Sequence, residues 1–369
     1  MGNAQRIVIK LGTSTLTGGG KQLSHRRMVD IARQVTAARE AGNEVVVVSS
    51  GAIAAGREVL GYPDLPKFIP KKQMLSSVGQ PRLMALYEQF FAIYGQRVSQ
   101  VLLTREDLTD RRRYLNARNT LEALLMQRVV PIINENDTVA TDEIRFGDND
   151  SLSAQVSSLI EADLLILLTD QDGLFTGDPR QDSNARLIEE VAPQEIPDEL
   201  WTAAGGSKSG LGTGGMTTKL YAADLARHSG TTVFIARGNL ENVIMHLVAG
   251  QKVGTCFPPL ANKLEGRKRY LLANDRAEGV LKVDAGAARA LAHGGSLLPV
   301  GVKAVQGEFD RGDTVRVFNA NDRLMGLGLS NYSAKDLGVV AGKQSGEIES
   351  LLGYTFGDEV IHRNNMVLL

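Results

Sequence analysis

Residues 205–219 read Gly-Gly-Ser-Lys-Ser-Gly-Leu-Gly-Thr-Gly-Gly-Met-Thr-Thr-Lys, the densest glycine cluster in the chain, and Leu220, Ala223 and Ala226 follow at helical spacing. Glycines let backbone N–H groups approach a phosphate closely, and a helix N-terminus adds favourable partial charge. Glycine richness alone equally describes a surface loop. Lys219, with Thr217 and Thr218 at the start of the helix, points instead to phosphate. Gly210-Leu-Gly-Thr-Gly-Gly215 matches G-x-G-x-x-G, but no strand leads into it and no acidic residue closes a βαβ unit about twenty residues later. Neither Gly20-Lys21-Gln22 nor Thr218-Lys219-Leu220 supplies the Gly-Lys-Ser/Thr of a Walker A loop, so any nucleotide site here is of another kind.

Lys10 ends an apolar run just before Gly12, where an unpaired ammonium is costly, so an anionic partner is expected; the plainer alternative is a lysine snorkelling at the sheet margin. Asn149 and Asp150, taken singly, read as helix caps. Their segment Gly147-Asp-Asn-Asp150 comes shortly after Asn134-Glu-Asn-Asp137, which gathers acidic and amide side chains in two connections of one sheet. The five histidines, at 25, 228, 246, 293 and 362, lack metal-ligand spacing, and no serine sits in a G-x-S-x-G elbow. Zinc and hydrolase chemistry are therefore unsupported. Two lysines, a glycine-rich anion loop and a set of carboxylates and amides are what phosphoryl transfer uses, because that reaction depends on positioning and charge neutralisation.

The elements that must hold these residues follow from periodicity. Apolar runs at Arg6–Leu11, Glu44–Ser49, Arg97–Leu103, Val129–Ile133, Asp163–Leu168 and Thr232–Ala236 read as strands. Met28, Ile31, Ala32 and Val35 after the cap Ser24, and Leu152, Val156, Leu159 and Ile160 after Asn149, read as helices. Continuous apolar strands separated by helices predict an α/β class, a three-layer sandwich on a mainly parallel sheet, with ligands at the strand C-termini. The polar segments Lys10–Ser14, Ser49–Ala52, Asn134–Asp137 and Thr169–Gly173 all fall there. Pro258-Pro259 and Arg267-Lys-Arg269 mark a linker over 258–274. Beyond it the pattern turns β-rich, with strands at Leu281–Val283, Thr314–Phe318 and Leu324–Leu329 and a helix at Ala285–Ala292.

With 369 residues, two domains are expected, 1–257 and 275–369. Lys plus Arg total 41 and Asp plus Glu 42, a balance that offers no broad field for nucleic acid or an anionic membrane. Runs such as Val45–Val48 and Leu164–Leu168 are too short to span a bilayer, and the start of the chain leaves no room for a signal peptide. The lone Cys256 cannot form an internal disulfide and reads as a small buried hydrophobe in a reducing compartment, so a cytoplasmic protein is expected.

Lys10-Leu-Gly-Thr-Ser14, Ser49-Ser-Gly-Ala-Ile-Ala-Ala-Gly56, Asn134-Glu-Asn-Asp137, Gly147-Asp-Asn-Asp150, Thr169-Asp170 and Gly212-Thr-Gly-Gly-Met-Thr-Thr-Lys219 together resemble the bacterial glutamate 5-kinases of the amino acid kinase family. The tail from about Asp275 is similar to the PUA domain appended to those enzymes and to RNA-modifying proteins. The resemblance implies the amino acid kinase fold with a small β-rich PUA-like domain, and ATP-dependent phosphorylation of the glutamate side-chain carboxylate, the first step of proline biosynthesis. It implies that Lys10 and Lys219 neutralise the phosphoryl group in flight and that Asp150 holds both lysines. Ser50, Asp137 and Asn149 would bind glutamate, with the Asp137 carboxylate suited to the substrate ammonium. Lys10, Thr169, Asp170, Thr213, Gly214, Gly215, Met216, Thr217, Thr218 and Lys219 would contact ATP, and Mg²⁺ would accompany the nucleotide without dedicated protein ligands. Phe175 stands where the family pattern has tyrosine, which removes one hydroxyl near the nucleotide. A homodimer or homotetramer and feedback inhibition by proline are further implications. Competing readings are an aspartate or N-acetylglutamate kinase of the same family, or an RNA-binding protein acting through the tail. The balanced charge and the single short basic cluster speak against the latter.

Overall fold

The computed structural model describes residues 4–62, 69–140, 149–205, 215–260, 277 and 279–368. They form two compact units, one of Met1–Leu108 with Ala117–Lys263, the other of Thr109–Asn116 with Leu264–Leu369.

The first unit is built on seven strands: β1 (Arg6–Leu11), β2 (Glu44–Ser49), β3 (Val98–Leu103), β4 (Val130–Glu135), β5 (Leu164–Thr169), β6 (Thr232–Arg237) and β7 (Thr255–Phe257). Their order is β3-β4-β2-β1-β5-β6-β7, parallel throughout except for β7, which runs antiparallel to β6. The six parallel strands are the six apolar runs of the sequence, shifted by one or two residues at some ends. The short edge strand β7 has no such run to announce it, and Cys256 lies buried in it. β1 is central, paired with β2 and β5, so that Lys10 stands beside Val48 and Leu167.

Between the strands run the helices α1 (Thr13–Thr17), α2 (His25–Glu40), α3 (Ala52–Val59), α4 (Ile69–Ala92), α5 (Arg105–Thr109), α6 (Arg111–Met126), α7 (Asn149–Leu159), α8 (Asp198–Ala203), α9 (Met216–His228) and α10 (Val243–Val248). Ser24 caps α2 as the sequence predicts, its side chain accepting from Arg27 N at 3.4 Å. Alternation along the strands divides the two faces. Ile7, Ile9, Leu11, Val45, Val47, Ile132 and Ile166 join α2, α4 and α10 in one core, whereas Val8 and Lys10 point to the opposite face, against which α7 packs. Helices on both faces and continuous burial of β1, β2 and β5 give the expected three layers.

Helices α3 and α4 meet backbone to backbone. A Cβ on Gly79 would stand 1.8 Å from the Ala52 carbonyl oxygen, and one on Gly56 1.9 Å from that of Leu75. Gly51, which turns the chain from β2 into α3, has φ of 102°, a conformation that favours glycine.

The second unit carries β8 (Gly279–Val283), β9 (Val302–Gly307), β10 (Thr314–Phe318), β11 (Leu324–Leu329) and β12 (Met366–Leu368) in the order β12-β11-β10-β8-β9. The strands expected near 281–283, 314–318 and 324–329 are present. β9 interleaves Lys303 and Gln306 among small residues and β12 has three residues, so neither shows a strand pattern in sequence. The helix at Ala285–Ala292 is as predicted, capped by Asp284, whose side chain accepts from Ala287 N at 2.8 Å. Within this unit Leu115 is fully buried against Leu329 and Val367, and the Arg311 guanidinium stacks 3.9 Å from the Phe356 ring centre while donating to Asn116 Oδ1. Among the described residues no helix is long and apolar enough to cross a membrane.

Candidate functional site

The C-terminal end of β1 and the N-termini of α7 and α9 converge on one carboxylate. Asp150, in the first turn of α7, is 3 % exposed. Lys10 Nζ, from the end of β1, lies 2.6 Å from its Oδ1, and Lys219 Nζ, from the first turn of α9, 3.1 Å from its Oδ2. Thr218 donates its hydroxyl to the same Oδ2 at 2.8 Å. Burial alone would raise the Asp150 pKa, but the Lys10 and Lys219 ammonium groups and the hydrogen bonds from Lys10 and Thr218 together hold it well below the usual carboxylate range. The anionic partner expected for Lys10 is therefore Asp150, and the snorkelling alternative is excluded by a lysine only 5 % exposed.

Beside this cluster opens a cleft of about 430 Å³ whose walls include Gly12, Ser14, Thr169, Asp170, Phe175, Gly215, Met216 and Lys219. Gly215 has φ of 95° and leads the chain into α9. Thr169, the last residue of β5, donates its hydroxyl to Asp170 at 3.1 Å. Thr217 instead donates to the Ala204 carbonyl at 2.8 Å, which fixes the start of α9 against the end of α8. Lys219 is common to this cleft and to the carboxylate cluster, so a phosphate seated in the cleft would lie beside an ammonium group.

On the other side of Asp150 the neighbouring residue Asn149 turns toward β2 and β4. Its Nδ2 donates to Ser49 O, Ser50 Oγ and Asn134 Oδ1, each at 3.0 Å. Asp137, in the turn after β4, accepts from Ser76 of α4. Asn149 and Asp150 thus share one helical turn but face two groups, the first of hydrogen-bonding side chains around β2 and β4, the second the lysine pair.

Of the residues singled out by sequence, Lys10, Asp150, Thr218 and Lys219 are in direct contact, Ser50 and Asn149 in another, and Asp170, Gly215 and Met216 line the cleft with Thr169. Thr213 and Gly214, like the segment Gly147-Asp148, lie outside the described residues. Sequence reading missed Ser76, Gln80 and Tyr87 of α4, which touch Asp137, Asn134 and Ser49. The available signal was slight: Ser76, Gln80 and Tyr87 recur at helical spacing among the apolar Leu75, Leu83, Leu86 and Phe90, in a helix that carries other polar residues as well.

Residues 5–237 match the amino acid kinase family, and residues 279–352 match the PUA domain. Glutamate 5-kinase of Shewanella oneidensis is 54 % identical over 366 residues, covering 99 % of this chain and 98 % of that protein. Glutamate 5-kinase of Shewanella woodyi is 55 % identical, with the same coverage of both chains. Glutamate 5-kinase of Vibrio campbellii is 52 % identical, covering 99 % of this chain and 96 % of its own.

Proposed function

Because the chain belongs to the amino acid kinase family, we propose that it transfers the γ-phosphoryl group of ATP to the side-chain carboxylate of L-glutamate, giving L-glutamyl 5-phosphate and ADP. The observation that carries the reading is the pair of lysines held on one buried carboxylate beside the cleft. In-line transfer spreads negative charge over the moving phosphoryl oxygens, and fixed ammonium groups in a water-poor site stabilise that charge more than they stabilise the ground state. Lys10 and Lys219 supply the charge. Asp150 keeps both in register, and its depressed pKa keeps it ionised for that task.

Residues 1–257 serve as the catalytic domain in this proposal, with 258–274 as linker and 275–369 as accessory domain. Thr169, Asp170, Gly215, Met216, Thr217 and Thr218 surround the nucleotide, and Ser50, Asn149 and Asp137 hold the amino acid, Asp137 meeting its ammonium. Among the described residues no three His, Cys, Asp or Glu side chains cluster as a metal site. Mg²⁺ would enter with the nucleotide and would supply charge neutralisation at its phosphates.

Relatives named glutamate 5-kinase support a biosynthetic role, the first step toward proline, and the proposal places the enzyme in the cytoplasm as a homodimer or homotetramer. Proline, close to glutamate in size, competes for the amino acid pocket in this proposal. Structured RNA is the partner proposed for the PUA domain, and filter binding across a salt series tests it. The enzymatic reading is tested by ADP release with Mg-ATP and a panel of glutamate, aspartate and N-acetylglutamate. Turnover with glutamate is expected. Preference for aspartate or N-acetylglutamate would reassign the substrate, and no turnover with any of them would remove the activity.

A further inference from the structure

Helix α4 is anchored in the core by Leu83, Leu86, Phe90 and Phe91, yet it also carries Ser76, Gln80 and Tyr87 on one face. All three are buried, and each reaches a residue at a strand end that adjoins the amino acid pocket. Ser76 donates to Asp137. Asn134 Nδ2 donates to Gln80 Oε1 at 2.8 Å, and Tyr87 Oη lies 2.7 Å from Ser49 Oγ.

The amides form a directed chain. Asn149 Nδ2 donates to Asn134 Oδ1 at 3.0 Å, Asn134 Nδ2 to Gln80 Oε1 at 2.8 Å, and Gln80 Nε2 to Gln100 Oε1 at 3.0 Å. Every oxygen in the series accepts from the preceding nitrogen, so turning one amide over would set like groups against each other. The chain ends on Asn149 Oδ1, a buried acceptor with no hydrogen-bond partner among the described residues. Such an atom calls for a hydrogen-bond donor.

At Ser49 the bonding is equally directed. Ser49 Oγ donates to the Ser50 carbonyl at 2.8 Å, which leaves it to accept from the Tyr87 hydroxyl. Burial raises the Tyr87 pKa further than the Ser49 contact lowers it, so the phenol remains a donor. The Ser50 carbonyl is thereby held just where the chain turns through Gly51.

We propose that Gln80 and Tyr87 are positioning residues for amino acid binding: Gln80 orients Asn149 through Asn134, and Tyr87 orients Ser50 through Ser49. The proposal rests on the reading that Ser50 and Asn149 hold the amino acid substrate. Neither Gln80 nor Tyr87 contacts the lysine–carboxylate cluster, so their removal should weaken binding of the amino acid and spare transfer itself.

The test is steady-state kinetics of the full-length protein, with glutamate and ATP varied separately. Gln80→Met keeps the volume but removes the acceptor for Asn134, and should raise KM for glutamate about five- to tenfold with kcat and KM for ATP changed less than about twofold. Gln80→Glu keeps the oxygen that accepts from Asn134 but sets a second oxygen against Gln100 Oε1, and should raise KM for glutamate less than Gln80→Met does. Tyr87→Phe should raise it about threefold. Gln80→Met added to Asn149→Ala should do no more than Asn149→Ala alone, since the effect passes through that residue. Equal KM shifts in Gln80→Met and Gln80→Glu, or a lowered Tm with unchanged KM in Gln80→Met and Tyr87→Phe, would make the residues merely structural and overturn the proposal. Asn149→Ala without effect on KM for glutamate would instead overturn the site reading and the positioning role with it. If Asn149→Ala raises KM while Gln80→Met does not, the positioning role alone fails. Should Gln80→Met not fold, Tyr87→Phe, which loses one oxygen, decides the proposal by the same KM criterion.

Discussion

Lys10 and Lys219 share a single carboxylate, each taking a different oxygen of Asp150, at 2.6 and 3.1 Å. The two ammonium groups are thereby fixed side by side at the strand ends, in surroundings where screening by water is weak.

Replacing either lysine tests its part in transfer directly. Lys10→Met and Lys219→Met keep much of the stem and remove the charge, so kcat is expected to fall by about two orders of magnitude or more, with KM for glutamate moving less. Near-normal kcat in a folded Lys219→Met protein would remove its catalytic assignment.

Asp150→Asn removes the counter-charge and leaves Lys10 buried without it, a change expected to cost about 3–5 kcal/mol of stability. The pH dependence has a definite sign. The folded-state pKa of Asp150 lies below its ordinary 3.8, so the unfolded chain takes up the proton first as the solution is acidified. The stabilisation is complete above the ordinary value and is lost as pH falls toward the folded-state pKa. Urea unfolding of both proteins should show a stability gap that is constant from about pH 5 to 8 and narrows below about pH 4. A gap that widens in acid would contradict the depressed pKa.

Asp137→Asn separates binding from transfer. The lost carboxylate meets the substrate ammonium before and during reaction, so KM for glutamate should rise about tenfold or more while KM for ATP and kcat change little. Isothermal titration with glutamate alone gives an independent check, since the same loss should appear in Kd.

A chain ending at Pro259 should keep phosphoryl transfer, because Lys10, Asp150 and Lys219 all belong to the first unit. It should also lose the cover on Leu115, which is buried by Leu329 and Val367. The expected result is kcat within about threefold of the parent and a tendency to associate that Leu115→Gln relieves, since burial of one leucine is worth about 1.5–3 kcal/mol. A folded but inactive truncation would place part of the catalytic unit beyond Pro259.

Proline is expected to inhibit competitively. Its effect should fade as glutamate is raised, and Asp137→Asn should weaken both ligands together. Inhibition that is indifferent to glutamate concentration would move proline to another site.

Much of the first unit was legible because its strands are buried on both faces and announce themselves as unbroken apolar runs; Arg6–Leu11 and Glu44–Ser49 match residue for residue. Lys10 was legible for the opposite reason, as a charge where the pattern demands an apolar residue. Asp150 as its partner rested on family likeness, since capping alone explains an aspartate at a helix start. β7 and β12 escaped because three residues carry no period, and β9 because its polar residues dilute one. Gln80 and Tyr87 escaped for a deeper reason. Their partners lie 54 and 38 residues away, and a polar residue in a long helix has an ordinary local explanation unless its distant partner is known.

The contact between α3 and α4 sets these two helices apart from ordinary ones in their response to alanine. Glycine inside a helix forfeits about 1 kcal/mol of intrinsic propensity relative to alanine, so Gly→Ala is a standard route to a more stable protein. At Gly79 and Gly56 the added methyl would land 1.8 and 1.9 Å from the carbonyl oxygens of Ala52 and Leu75. Room could come only from parting the helices, and α3 begins at the turn that carries Ser50. The two glycines therefore forgo about 2 kcal/mol of helix propensity in exchange for an approach that no side chain permits, and this helix pair lies outside the reach of thermostabilisation by alanine.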